Sequence, residues 1–405
     1  AEMWDQRWSA YAAIESPTPV ASSVASVFDS SAKPTMTHEE LKAVEGGLLL
    51  LSADSVGGLM GSLETLSFAG PNFDQDPKGH RLSRVLYEAS SNFNPKATMR
   101  MAIIATSWQE YEKRKALALK AMEDEEKWGF LQAQGVLITK DAPLHDKAKV
   151  AHMYPGQGSQ YVGMTADLAQ RFTAPANVWE QADTTMVEVL GGETLSGFVL
   201  RSSLSKDELK EAEHKLKQTE YTQPAMLTAD LAIERTLQTY GHVPDMVAGH
   251  SLGEYAALMS SGILDMDGAL RAAAARGTEM GSVEIDDKGL MASVTAPYGA
   301  VEATLEATDG YVIAANKNSP KMTVIAGETE PVKAAMAAFE AQGFSCMPLA
   351  TSHAFHSRIV APANEPLRRF LEGLEIRWPS VPITANVDGT FYPTEGEDSK
   401  ASILE

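Results

Sequence analysis

One stretch limits the fold of this chain more than any other: Gly249-His250-Ser251-Leu252-Gly253. A short apolar strand candidate, Pro244 to Val247, runs into it, and helix-like sequence follows from Glu254 to Ser261. The pattern G-x-S-x-G marks a turn so sharp that its flanking positions need glycine for steric reasons. Such a turn lifts the Ser251 hydroxyl clear of a sheet and points the backbone N–H of Leu252 at any oxyanion formed there. Strand, nucleophile-bearing turn and helix, in that order, imply an α/β core. Taken alone, the pattern also fits a tight turn with an innocent serine.

A serine nucleophile needs a base. His356 lies far downstream, in Ser352-His353-Ala354-Phe355-His356-Ser357. His353 and His356, three residues apart, also suggest a metal pair, but no further ligands sit at suitable spacing, so no metal is expected. On residue type alone, each histidine is as readily structural or exposed.

The remaining chain divides by composition and periodicity. Residues 1–45, rich in Ala, Ser, Pro and Thr, read as a linker segment, with Trp4 and Trp8 signalling that part of it packs. Residues 46–148 read as a small α/β domain. Its strands are expected at Leu48–Ser52 and Met99–Thr106, with helix-like sequence to about Leu66 and a charged helix over Trp108–Lys127. Acidic Glu123-Asp124-Glu125-Glu126 would oppose the macrodipole at that helix's C-terminus, so its last turn is expected to fray or pair. From Lys149 a new unit starts, with a strand at Val150–Tyr154, the glycine-rich turn 155–160 and a helix over Thr222–Tyr240. Residues 289–349 form a separate compact unit, with strands at Leu290–Thr295, Gly310–Ala315, Met322–Ala326 and Phe344–Leu349. Helices at Gly299–Thr308 and Glu330–Gln342 complete a β-α-β-β-α-β order, the ferredoxin-like arrangement. Residues 149–288 and 350–405 then make the larger subdomain around a parallel sheet.

Composition narrows the partners. Hydrophobic residues at 44% and charged residues at 22% are ordinary for a soluble globular protein. A net charge of −20 argues against nucleic acid or an anionic membrane as the main partner. No apolar run approaches the roughly 20 residues of a spanning helix. Cys346 is the only cysteine, so no internal disulfide forms, which fits a reducing compartment. A cytoplasmic location is expected.

A series of motifs now carries a resemblance. Pro155-Gly156-Gln157-Gly158-Ser159-Gln160, Thr222-Gln223-Pro224-Ala225, Gly249-His250-Ser251-Leu252-Gly253-Glu254-Tyr255, Arg276, Asn318-Ser319-Pro320, His353-Ala354-Phe355-His356-Ser357 and Ala385-Asn386-Val387 follow one another in this order. The series resembles the malonyl-CoA:acyl-carrier-protein transacylases, most of all the acyltransferase domains of type I polyketide synthases and polyunsaturated fatty-acid synthases, over roughly 149–405. The resemblance implies an α/β-hydrolase-like core with a ferredoxin-like small subdomain, preceded by a ketosynthase–acyltransferase linker domain. It implies Ser251 as nucleophile and His356 as base, a dyad working by ping-pong. Gln157 and the Leu252 N–H would form the oxyanion hole, Arg276 would grip the malonyl carboxylate, and Asn386 would orient the histidine. Gln223, His250 and Asn318 would lie near the substrate. His353-Ala354-Phe355-His356 resembles the form associated with malonyl units, where the methylmalonyl form usually has Tyr-Ala-Ser-His; Phe355 would narrow the pocket. No bound cofactor is implied. Malonyl-CoA is the substrate, phosphopantetheine sits on a partner carrier protein, and a ketosynthase domain is the neighbour.

Two other readings share some of these features. A serine hydrolase or thioesterase of the α/β-hydrolase type shares G-x-S-x-G but needs an acidic triad member, for which Asp265 is a candidate without convincing context. A docking module of a megasynthase would need none of Ser251, His356 and Arg276. The family pattern continues beyond the Ala385-Asn386-Val387 strand, whereas this chain ends at Glu405 and begins as if cut from something longer. A core cut short is therefore expected.

Overall fold

The computed structural model describes residues 46–66, 80–141, 148–201, 204–349, 351–396 and 398–404. The linker expected at 1–45, with Trp4 and Trp8, lies outside the described residues. The chain separates into two compact units between Lys149 and Val150.

The first unit is a three-stranded antiparallel sheet with helices. β1 (Gly47–Ala53) pairs with β2 (Met99–Ala105), and β2 with β3 (Val136–Thr139). Side chains alternate across the sheet. Leu49, Leu51, Met101, Ile103 and Val136 are buried with Leu59 and Leu63 of α1 (Val56–Thr65) and Tyr111 of α3 (Trp108–Ala121), while Leu48 and Ile104, opposite each other in the register, face out. Helix α2 (His80–Ala89) and strand β3 were not anticipated. The four residues of β3, Val136-Leu137-Ile138-Thr139, are too short a run for periodicity to identify.

The charged segment also differs from expectation. α3 ends at Ala121, and the acidic run begins a new helical stretch instead of closing the old one. The Asp124 side chain accepts from the Glu126 N–H, and Glu125-Glu126-Lys127 form a 3-10 turn leading into α4 (Trp128–Ala133). The carboxylates thus sit at a helical N-terminus, where the dipole favours them. Lys127 and Lys140 pair with Asp124 and Glu125.

The second unit is built on parallel strands. β4 (Ala151–Tyr154) runs parallel to β5 (Met246–Gly249), and Val247 bridges in parallel to Ile383. The strand expected at Ala385-Asn386-Val387 falls earlier, at Ile383 and Thr384. Asn386 and Val387 form a turn, because Gly389, at φ 76°, folds back so that its N–H reaches Ala385 O at 2.9 Å. Around the sheet lie α5 (Ala166–Arg171), α6 (Thr173–Met186), α7 (Leu195–Val199), α8 (Lys206–Leu216), α9 (Thr219–Thr239), α10 (Gly253–Ser260) and α11 (Met266–Gly281). Helix α9 buries Thr222 through Ala232 without interruption, as a helix enclosed on all sides does.

Inserted after α11 are β6 (Leu290–Thr295), α12 (Tyr298–Glu306), β7 (Val312–Ser319), β8 (Met322–Gly327), α13 (Thr329–Ala341) and β9 (Ser345–Pro348). Their sheet has the order β7-β8-β6-β9 with every neighbour antiparallel. One face buries Val294 and Ile325 against Val301, Val332 and Phe339 of the two helices. The other face, with Met291, Val324 and Ala326, packs on Met280, Val283, Ala354, Phe355 and Ile359. That second core fastens the segment around His356 to the end of α11. Beyond it follow a 3-10 turn, α14 (Asn364–Glu372) and α15 (Ser399–Leu404).

The glycines of the 249–253 turn are fixed by contact. A Cβ on Gly249 would lie 2.1 Å from Glu254 N, and one on Gly253 would lie 2.2 Å from Tyr154 O. Neither clash involves a side chain that can move aside. Gly253→Ala is therefore expected to destabilise the second unit by more than about 3 kcal/mol, against less than about 1 kcal/mol for Gly299→Ala in α12. An added Cβ at Gly299 meets nothing within 4 Å. Urea-unfolding midpoints check the contrast, and equal midpoints would contradict it.

Candidate active site

Strand β5 delivers Ser251 into a left-handed backbone conformation, φ 53°. His250 N–H donates to Tyr154 O at 2.9 Å, and Gly253 N–H to His250 O at 3.0 Å, so the turn is locked at both shoulders. His356 has the same unusual backbone, φ 56°. Among the described residues only Thr165 is a third non-glycine with positive φ. L-residues pay for this conformation, and it persists where surrounding contacts over-determine it. For His356 those contacts are Ala354 N–H to Lys288 O at 2.8 Å and Ser357 Oγ to Ala354 O at 2.6 Å. The two strained residues meet: Ser251 Oγ lies 2.8 Å from His356 Nε2. With Nε2 unprotonated, the Ser251 hydroxyl donates to it, which is the geometry for proton removal from a nucleophile.

Arg276 arrives from the last turns of α11. A Cβ on the next residue, Gly277, would lie 2.6 Å from Thr219 O, so a bare α-carbon lets α11 press on the start of α9. Arg276 Nη1 then donates to Gln223 Oε1 at 2.9 Å, and Nη2 lies 3.4 Å from Ser251 Oγ. The guanidinium also stands over the Tyr255 ring, 5.9 Å from its centroid. Among the described residues no carboxylate comes within 4.0 Å to pair with Arg276. Gln223 is fully buried and orients the fork. The arrangement offers a cation beside the nucleophile, suited to an anionic group on what the nucleophile attacks.

The other expected residues take varied places. His250 Nε2 lies 2.8 Å from Asn318 Oδ1, joining the nucleophile's turn to β7. Gln157 spends its side-chain amide on Thr219 Oγ1 at 3.3 Å. Leu252 is buried, and its N–H takes no backbone acceptor among the described residues, as the N-cap position ahead of a helix leaves it. Phe355, 6% exposed, lies in the core beneath the histidine loop. His353 is structural: its Nε2 lies 3.1 Å from Val283 O and its Nδ1 3.1 Å from Ser352 Oγ. Asp265 caps α11 by accepting from Gly268 N–H at 2.7 Å. Asn386 uses its backbone N–H on Glu254 Oε1, at 2.9 Å. Glu254 and its second donor, Tyr392 OH at 3.0 Å, were given no role from sequence. Only the position of Glu254, directly after the glycine-flanked turn, hinted at one.

Electrostatics sharpen the roles. His356 keeps an open edge to solvent, yet crowding around its ring, then the positive Arg276, then His250, push its pKa down to about 4. The imidazole is thus neutral, and able to accept a proton, throughout the neutral range. Burial pulls the Arg276 pKa below its ordinary value, opposed by Tyr255 and Glu254. Burial pushes the Glu254 carboxyl up, opposed by its hydrogen bonds and by Arg276.

The chain is similar to known acyl transferases. An acyl transferase domain is recognised over residues 151–400. A malonyl CoA-acyl carrier protein transacylase of Bacillus subtilis (strain 168) is 32% identical over 265 residues, covering 64% of this chain and 78% of that protein. The solved complex of a type II polyketide-synthase acyl-carrier protein with its malonyl-transacylase matches at 34% identity, over 64% of this chain and 80% of that chain, with TM-score 0.55. The acyltransferase domain from the second module of the salinomycin polyketide synthase matches at 27% identity, over 87% of this chain and 75% of that chain, with TM-score 0.60. Among the described residues no helix is long and apolar enough to cross a membrane.

The depressed pKa of His356 has a readable consequence. Acylation of Ser251 by a neutral activated ester should stay constant as pH falls through 6.5, the ordinary imidazole value, and decline only towards about 4. Arg276→Gln removes one of the depressing charges, so its acid limb should move upward. A wild-type limb at 6.5 or above would contradict the electrostatic assignment.

Proposed function

The chain belongs to the acyl transferase domain family, and from that premise we propose that it moves a malonyl group from malonyl-CoA, through an ester on Ser251, to the phosphopantetheine thiol of an acyl carrier protein. The observation that carries this reading is the convergence on Ser251 Oγ of a base, His356 Nε2 at 2.8 Å, and a cation without a carboxylate partner, Arg276 Nη2 at 3.4 Å.

The reaction runs in two halves. His356 Nε2 takes the Ser251 proton as Oγ attacks the thioester carbonyl. The Leu252 N–H and the backbone N–H of Gln157 receive the developing oxyanion; the Gln157 side chain is held aside by Thr219. The C–S bond then breaks, CoA leaves with the proton held by His356, and a malonyl ester remains. In the second half, His356 assists the carrier thiol, the ester C–O bond breaks, and the proton returns to Ser251. This is ping-pong chemistry through a Ser–His dyad. Asn386 would orient the histidine through its backbone, and Asp265 stays a helix cap.

Arg276 is the selectivity element. A neutral acyl chain leaves its buried charge poorly paired, whereas the malonyl carboxylate matches its fork. Gln223 aims that fork, His250 and Asn318 border the entrance, and Phe355 limits space beside the C2 carbon. The β-α-β-β-α-β order of residues 290–348 supports a ferredoxin-like subdomain set into an α/β-hydrolase-like core. The unit before Val150 fits a linker to a neighbouring ketosynthase in a polyketide or fatty-acid megasynthase. Likeness to the salinomycin acyltransferase domain over 87% of this chain supports that extension beyond residues 151–400.

Two measurements test this reading. Intact-mass analysis after mixing with malonyl-CoA should show the gain of one malonyl group, absent in Ser251→Ala. Arg276→Ala should slow malonyl loading by about a hundredfold or more, and acetyl loading far less. Equal losses for the two acyl groups would remove the role of Arg276. For C2 substituents, malonyl should load faster than methylmalonyl by about tenfold, since one methyl is worth roughly 1–3 kcal/mol in a pocket.

A further inference from the structure

His356 sits in left-handed backbone, φ 56°, so the chain has to be held on both sides of it. Upstream, Ala354 and Phe355 are buried against the inserted sheet, and Ala354 N–H reaches Lys288 O at 2.8 Å. Downstream, the chain passes at once into the 3-10 turn Arg358–Ala363. The first N–H groups of a helical turn have no partner within it. Ser357 Oγ accepts the one on Ile359, at 3.2 Å, and donates to Ala354 O, which ties the loop only to itself. Arg358 N–H, two residues past the imidazole, leaves the loop: it donates to the Tyr311 hydroxyl at 2.8 Å, 47 positions away.

Tyr311 is a firm anchor. It stands just before β7, and its backbone O accepts Glu328 N–H at 2.9 Å. A Cβ on Gly327 would lie 2.1 Å from that same oxygen, so β8 packs directly on it. The Tyr311 ring packs at the edge of the core that holds Phe355 and Ile359. The Arg358 guanidinium lies over the ring, 3.8 Å from its centroid, and Nη2 reaches Glu328 Oε1 at 2.9 Å. That ion pair is open to solvent, with side chains 65% and 42% exposed, so it holds the loop only weakly.

A phenylalanine at 311 would pack and stack as well as the tyrosine. The tyrosine adds one hydroxyl, and that hydroxyl meets the backbone of the histidine loop. Arg358 lies at the surface, where water can satisfy its N–H, so the bond adds little to stability. Water would not fix where that N–H points. Resting on the Ser–His dyad of the malonyl-transfer reading, we propose that Tyr311 is a positioning residue: by holding Arg358 N–H, its hydroxyl sets the downstream end of the left-handed turn and keeps His356 Nε2 in reach of Ser251 Oγ. Reaction rate is far more sensitive to a small displacement of a base than stability is to one exposed hydrogen bond. The effect falls on proton removal, which every acyl group shares, and not on binding.

The test is Tyr311→Phe, which keeps the ring and removes the hydroxyl. Loading of malonyl and of acetyl groups, counted per titrated active serine, should slow equally, by about tenfold, with KM for malonyl-CoA unchanged. Reaction with a fluorophosphonate, which needs only a base-activated serine, should slow by the same factor. Arg358→Ala keeps the N–H and should stay within about twofold of wild type. Arg358→Pro removes the N–H at a position that accepts proline, since Ser357 before it is extended, φ −130° and ψ 171°, and Arg358 opens the turn. It should match Tyr311→Phe, and the double variant should be no slower than either. Wild-type rates in Tyr311→Phe, a rise in KM in place of a fall in rate, an Arg358→Ala as slow as Arg358→Pro, or effects that multiply in the double variant would each overturn the proposal. Loss of folded protein alone lowers the titre of active serine and leaves the rate per serine unchanged, which also counts against it. A wild type that reacts with the fluorophosphonate but forms no malonyl ester would overturn the malonyl reading, and the fluorophosphonate rates would still decide the role of Tyr311. A wild-type Ser251 inert to both would overturn the dyad itself.

Discussion

The hydrogen bond between Ser251 Oγ and His356 Nε2 joins residues 105 positions apart, and much of the second unit exists to hold its ends. Each end sits in left-handed backbone that an L-residue adopts only under constraint. At Ser251 the constraint is close packing of backbone on backbone, where Gly249 and Gly253 leave no room for a methyl group. At His356 it is a core shared between the inserted sheet and the end of α11, with Phe355 and Ala354 buried in it. The inserted β-α-β-β-α-β unit therefore acts on the site mechanically: its sheet face is the wall against which the histidine loop is pressed.

The second dependence is electrostatic. Arg276 is half-buried, held through Nη1 by Gln223, set over the Tyr255 ring and unpaired by any carboxylate at contact distance among the described residues. A charge held this way is expensive, and after burial it is the next cause, ahead of His250, that lowers the pKa of His356 to about 4. A base with so low a pKa is neutral at physiological pH, at some cost in proton affinity. Arg276 would thus influence both partners of the proposed reaction, attracting an anionic acyl group and, with burial, keeping the imidazole neutral.

Local features of this design were legible in the sequence because they are short-range. The glycine-flanked turn is announced by a five-residue pattern, although the need for Gly253 is set by the distant Tyr154 backbone, and the β-α-β-β-α-β alternation follows from periodicity. The ordered motifs pointed to Ser251, His356 and Arg276, and the structure brings these three together. What stayed hidden depends on distant packing. Nothing in Ala354-Phe355-His356 announces a left-handed histidine. The acidic run at Glu123–Glu126 read as the end of one helix, frayed or paired, whereas Asp124 caps the next helical turn and Asp124 and Glu125 pair with Lys127 and Lys140. Asn386 was expected to orient the histidine; the structure gives its backbone N–H to Glu254, 132 residues away, and no spacing rule reports such a bond.

The central claim, that Ser251 carries the acyl group between two thiols, is tested most directly by isolating the malonyl-loaded protein, removing CoA, and mixing it with holo acyl carrier protein in a rapid-quench experiment. The account predicts that each malonyl group lost from Ser251 is recovered on the carrier's phosphopantetheine thiol. Recovery as free malonate, at a rate indifferent to the carrier, would contradict it.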